Sequence, residues 1–105
     1  MSVDRIEALK SMLEQDPNSA FARYGLAMAY VNAGQADEAL PEFTKLLEAH
    51  PDYAAGYYHL GRALEGMGRI DEARAVMEKG VEVTTRTGDA HTRSELQAAL
   101  DLLGV

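Results

Sequence analysis

Three histidines, His50, His59 and His91, are the side chains best suited to hold a transition metal, and the chain has no cysteine to assist them. A site built on a helix needs a second His or Cys three or four positions away, and none stands there. His59, between Tyr58 and Leu60, is the one whose surroundings matter further on. The glycines form no phosphate cradle, since Gly34, Gly66 and Gly68 are followed by no Gly-Lys-Ser/Thr run. Ser2, Ser11, Ser19 and Ser94 lack the G-x-S-x-G setting of an activated nucleophile. Neighbouring carboxylates such as Asp37 and Glu38 suit the start of a helix better than an acid–base pair with separated pKa values. This inventory predicts a protein that is not an enzyme and that needs no cofactor or metal.

Charge narrows the partners. Ten Lys and Arg against seventeen Asp and Glu give a formal net charge of -7 and a pI near 4.8. Nucleic-acid binding neutralises phosphates with clustered cations, and here the cations are scattered among more numerous acids. Nucleic acid and anionic membrane surfaces are therefore disfavoured. No apolar run approaches the ~20 residues that cross a bilayer. The opening MSVDRIEALKSMLEQDP carries Asp4, Arg5, Glu7 and Lys10 where a secretory signal would need an uninterrupted apolar stretch. Together with the missing cysteines this makes the cytoplasm the expected compartment. With 105 residues, 47% of them hydrophobic, the chain is expected to form one domain.

The chain repeats itself. Pro17 and Pro51 stand 34 residues apart, and at that offset Tyr24 meets Tyr58, Leu26 meets Leu60, and Gly34 meets Gly68. Asp37, Glu38 and Ala39 meet Asp71, Glu72 and Ala73. Within each unit apolar residues recur at three- and four-residue steps, which predicts two short helices. In the first unit these are Leu26, Tyr30 and Ala33, then Ala39, Phe43, Leu46 and Leu47. In the second they are Leu60, Leu64 and Met67, then Ala73, Met77, Gly80 and Val81. Gly34 and Gly68 end the first helix of each pair, because glycine takes the left-handed conformation at little cost. Asp37 and Asp71 are expected to cap the helices that follow. Pro41 predicts a local bend, not a break.

Period and residue types together resemble the tetratricopeptide repeat, a 34-residue unit with the signature W-x2-L-G-x2-Y, A-x3-F, P. The first unit matches it with Arg23, Leu26, Ala27, Tyr30, Ala39, Phe43 and Pro51. The second matches with Tyr57, Leu60, Gly61, Leu64, Ala73 and Met77, and has Thr85 where proline would stand. Arg23 in place of a large aromatic is expected to weaken one helix contact. Thr85 implies that the array stops or that its last helix runs on. Ala27, Gly61, Ala39 and Ala73 are small enough for helix backbones to approach closely.

The resemblance implies an all-α fold, a right-handed α-α superhelix of about six helices. Its parts would be an N-terminal flanking helix in 1–16, units at 17–50 and 51–84, and a capping helix in 85–105. The flanking helix carries Ile6, Leu9, Met12 and Leu13 on one face, with Asp4 and Glu7 placed like a capping box. Gly88 and Asp89 make a stop-and-restart signal before a last helix bearing Leu96, Ala99, Leu100 and Leu103. In this family the first helices line a concave surface that receives a peptide or a helix. By resemblance Phe21, Tyr24, Met28, Asn32, Tyr58 and Arg62 would line it here, with His59 nearby and Arg93 entering from the last helix. Aromatics, methionine and arginine are the types enriched in binding hot spots. The same aromatics could instead only pack between adjacent helices. The lysines of the carboxylate clamp known in part of the family are missing, so a hydrophobic or mixed peptide is expected. The rival reading is self-association, with Met12 and Leu13, or Leu96, Leu100 and Leu103, covered by a second copy as a homodimer.

Overall fold

The structure, a computed structural model, describes residues 2–104. Six helices account for it, and no strand occurs among the described residues: α1 (Ser2–Gln15), α2 (Ala20–Asn32), α3 (Ala36–Ala49), α4 (Ala54–Gly66), α5 (Ile70–Thr87) and α6 (Ala90–Leu102). They fall into two compact units, residues 1–50 and residues 51–105.

In the first unit α2 packs against both α1 and α3. Its small residues allow this, because Ala22 and Ala27 are fully buried and Gly25 lies close under Leu9 of α1. A Cβ on Gly25 would stand 3.2 Å from Leu9 Cδ2. Phe43 and Leu46 of α3 fill the centre, with Ile6, Leu9 and Leu13 closing it from α1. Pro41 sits inside α3 and the helix continues through it, since the bond it forgoes lies near the start, where few backbone bonds depend on it.

In the second unit α4, α5 and α6 all touch one another. Gly80 is where they meet: a Cβ there would lie 2.7 Å from Tyr57 Cβ and 2.8 Å from Leu96 Cδ1. Gly61 makes the other close approach, with Met77 Cγ at 2.7 Å from the place of its missing Cβ. Thr84 is the buried hydroxyl of this core, and it donates to the Gly80 carbonyl at 2.8 Å, so among the described residues no buried side-chain nitrogen or oxygen is stranded.

The helix ends follow the sequence in part. Gly34 and Gly68 have φ of 75° and 78°. Each is flanked by a matching pair of bonds, Gly34 N–H to Val31 and Gln35 N–H to Tyr30, then Gly68 N–H to Glu65 and Arg69 N–H to Leu64. That is the Schellman ending. Asp89 caps α6 by accepting from Thr92 N–H at 3.1 Å, and this charge-stabilising bond holds its carboxyl below the usual range. Asp37 and Asp71 do not cap. Their helices begin at Ala36 and Ile70, so both acids lie inside the first turn and act only through the helix dipole. The Asp4–Glu7 capping box fails for the same reason, because α1 already runs from Ser2. Where Pro51 follows the end of α3, Thr85 lets α5 continue to Thr87, so α5 has 18 residues against 14.

Candidate functional site

Arg23 departs from the expectation that it weakens a contact. Its Nη1 donates to Glu42 Oε1 of α3 and its Nη2 to the Pro17 carbonyl, both at 2.9 Å. The two side chains are only 18% and 14% exposed, so this pair is shielded from water. At the equivalent place in the second unit the Tyr57 hydroxyl donates to the Pro51 carbonyl at 2.7 Å. An arginine therefore does here what an aromatic hydroxyl does there, and the partner position follows suit: Glu42 in the first unit, Val76 in the second. Burial raises the Tyr57 phenol above its ordinary value, with Asp52 adding to the effect.

With Arg23 turned to α3, the rest of α2 carries no charge. Its residues divide cleanly. Ala22, Leu26, Ala27, Ala29 and Tyr30 are buried. Phe21 is 68% exposed, Asn32 is exposed, and Tyr24 and Met28 are half-buried. These four stand at three- and four-residue steps and share one face of the helix. Ser19 fixes where that face begins, its hydroxyl accepting from Ala22 N–H at 3.1 Å as the N-cap of α2.

In the second unit Tyr58, His59 and Arg62 come together on α4. Arg62 Nη1 donates to the Tyr58 hydroxyl at 3.0 Å, its guanidinium carbon lies 5.9 Å from the Tyr58 ring centroid, and its Nε pairs with Glu65 at 3.1 Å. The Tyr58 and His59 rings meet edge to face at 5.0 Å. His59 is half-buried, and burial lowers its pKa below 6.5, with Arg62 pushing the same way and Glu95 of α6 opposing. Arg93 is exposed on α6, and no hydrogen bond or ion pair joins it to Tyr58 or Arg62.

A second feature of the first unit escaped sequence reasoning. A cleft lined by Pro17, Asn18, Ser19, Arg23, Lys45, Leu46, Glu48, Ala49 and His50 opens between the start of α2 and the end of α3. His50 Nε2 lies 2.7 Å from the Asn18 carbonyl and bridges the two. Nothing in a 32-residue separation announces that contact. Among the described residues no group of His, Asp and Glu is arranged to hold a metal, and no helix is long and apolar enough to cross a membrane.

The tetratricopeptide repeat profile matches two overlapping stretches, residues 6–42 and 31–100. The chain belongs to the tetratricopeptide repeat family. A tetratricopeptide repeat domain protein from Salinibacter ruber, known from a crystal structure, is 38% identical over 81% of this chain and 94% of its own, with a TM-score of 0.76. A Bordetella parapertussis protein solved in solution is 33% identical over 93% of this chain and 85% of its own, with a TM-score of 0.82. The TPR2B domain of yeast Sti1, solved as a pHsp70 complex, superposes with a TM-score of 0.87 over 93% of this chain and 78% of that one. At 15% identity this last likeness concerns the tetratricopeptide fold alone. No curated protein matches the sequence.

Proposed function

We propose that this protein is a non-catalytic adaptor of the cytoplasm, which holds a peptide or helix of another protein on its first helices. In this reading residues 17–50 and 51–84 are the two complete repeats, flanked by helices in 1–16 and 85–105, and they work as one domain. The observation that carries it is Phe21, an aromatic ring 68% exposed at the head of a row with Tyr24 and Met28. Phe21 stands outside the core, Tyr24 and Met28 are half-buried, and large exposed aromatics on a helix face are the residues that anchor partners. Asn32 continues it, while Tyr58, His59, Arg62 and Arg93 are the corresponding candidates of the second unit. The complexed Sti1 domain, which shares the fold, supports a protein ligand.

The test is capture of a partner from the native host, mapping of the bound segment, and titration against Tyr24→Ala and Tyr58→Ala. Variants that keep their helix content yet lose the mapped segment support the adaptor; variants that fold and bind in full remove it. Self-association is the competing outcome, as a homodimer. Leu13 and Leu96, two of the residues put forward for it, are buried in their own units, which leaves Met12 at 42% exposure and the half-buried Leu100 and Leu103. Sedimentation that shows a monomer at micromolar concentration disposes of it.

A further inference from the structure

Lys45 and Glu48 stand three residues apart on α3, a spacing at which opposite charges pair along a helix. One repeat later the same two types make that pair, with Lys79 Nζ 3.4 Å from Glu82 Oε2. In the first unit the pair is not made. Lys45 and Glu48 are both exposed, neither has a hydrogen bond or ion pair among the described residues, and both line the cleft between the start of α2 and the end of α3. The remaining charge there is already matched, since Arg23 is held by Glu42 and the Pro17 carbonyl. His50 Nε2 donates to the Asn18 carbonyl. Asn18 itself stands where the second unit has Asp52, an acid that there accepts from Arg86 at 2.8 Å. The Ser19 hydroxyl accepts from Ala22 N–H and keeps its own proton to donate. Leu46 and Ala49 add an apolar wall, and the space of about 390 Å³ is of a size that takes a small organic molecule. The cleft thus presents one cation and one anion side by side, both without partners. A singly charged ligand would satisfy one of them and meet the other as a like charge, whereas a zwitterion satisfies both. We infer that this cleft binds a small zwitterion of the α-amino-acid type, its carboxylate against Lys45 and Ser19, its ammonium against Glu48, and a short apolar side chain against Leu46 and Ala49. The inference is independent of the adaptor reading, because it uses none of the row headed by Phe21.

An NMR titration of the isotope-labelled full chain with L-leucine tests it, beside N-acetyl-L-leucine, which lacks the ammonium, and L-leucinamide, which lacks the carboxylate. L-leucine is expected to shift the amides of Ser19, Ala49 and His50 saturably at millimolar concentration. Each analogue is expected to bind about fivefold more weakly, the upper end for an ion pair open to water. Lys45→Gln and Glu48→Gln alter exposed helical side chains that hold nothing else, so both variants keep the fold. Each is expected to lose about the same factor for L-leucine, while Lys45→Gln costs L-leucinamide nothing and Glu48→Gln costs N-acetyl-L-leucine nothing. Shifts that grow without saturation to about 50 mM overturn the inference. Equal affinity for L-leucine and both analogues overturns it too, as do variants that bind L-leucine in full. Each of these failures leaves the adaptor standing.

Discussion

The Tyr57 hydroxyl reaches back six residues to the Pro51 carbonyl, and Arg23, one repeat earlier, reaches back six residues to Pro17. Both bonds tie the first helix of a repeat to the turn before it. The arginine version adds a second link, to Glu42 on α3, which the tyrosine version lacks. A position that looks degenerate by residue type is thus conserved in what it holds together within each unit.

Removing Arg23 leaves Glu42 shielded and unpartnered, so Arg23→Ala is expected to cost about 2 kcal/mol of unfolding free energy. Glu42→Ala costs less, and the double variant costs clearly less than the sum. Urea unfolding of the four proteins in a double-mutant cycle measures the coupling, expected at about 1 kcal/mol. Strict additivity would show that the pair is ornamental.

Gly80 and Gly61 should respond differently to alanine. At Gly80 the new methyl meets Tyr57 Cβ, which is fixed to the backbone of α4, and Leu96 at the same time. Gly80→Ala is expected to destabilise by about 1–3 kcal/mol in spite of alanine's better helix propensity. At Gly61 the obstacle is the flexible but fully buried Met77 side chain, whose Cγ and Cε must both shift to admit the methyl. Gly61→Ala is expected to destabilise less than Gly80→Ala, because only a side chain and no backbone-fixed Cβ must give way, and thermal melts of the two variants separate the cases.

The Ser19 cap is the only side-chain cap at the start of α2 and borders both the exposed face and the cleft. Ser19→Ala is expected to lower stability by about 1 kcal/mol, and Ser19→Asp to retain most of it. Amide exchange at Ala22 reports the loss locally, since that N–H is the one the hydroxyl satisfies.

His59 gives the protein an acid limb. Its folded pKa lies below the ordinary 6.5 because burial disfavours the charged ring. The unfolded chain therefore takes up the proton first, and the stability tied to neutral His59 is complete above pH 6.5 and is lost as pH falls through the folded value. An NMR titration should place the His59 midpoint below the ordinary histidine value of 6.5. His59→Gln should flatten the decline of stability on the acid side; an unchanged slope would show that other groups cause it.

Much of this architecture was legible before any coordinates. The 34-residue offset, the apolar steps, Gly34 and Gly68, and the Gly88–Asp89 restart are local signals, each acting within a turn or two of its own backbone. Repeat and periodicity therefore pointed to the helices and to the glycine-marked ends, while Thr85 left open whether the array stops or the helix runs on, and α5 runs on to Thr87. What only the tertiary structure decided were contacts made by long side chains across sequence: Arg23 to Glu42, His50 to Asn18, Arg86 to Asp52. It also moved capping away from Asp37 and Asp71, because a helix starts where packing first holds the backbone, and here that is one residue earlier than the acids. The candidate row on α2 divides in the same way. Its spacing is written in the sequence, but that Phe21 is exposed while Tyr30 is buried depends on which side of α2 its neighbours cover.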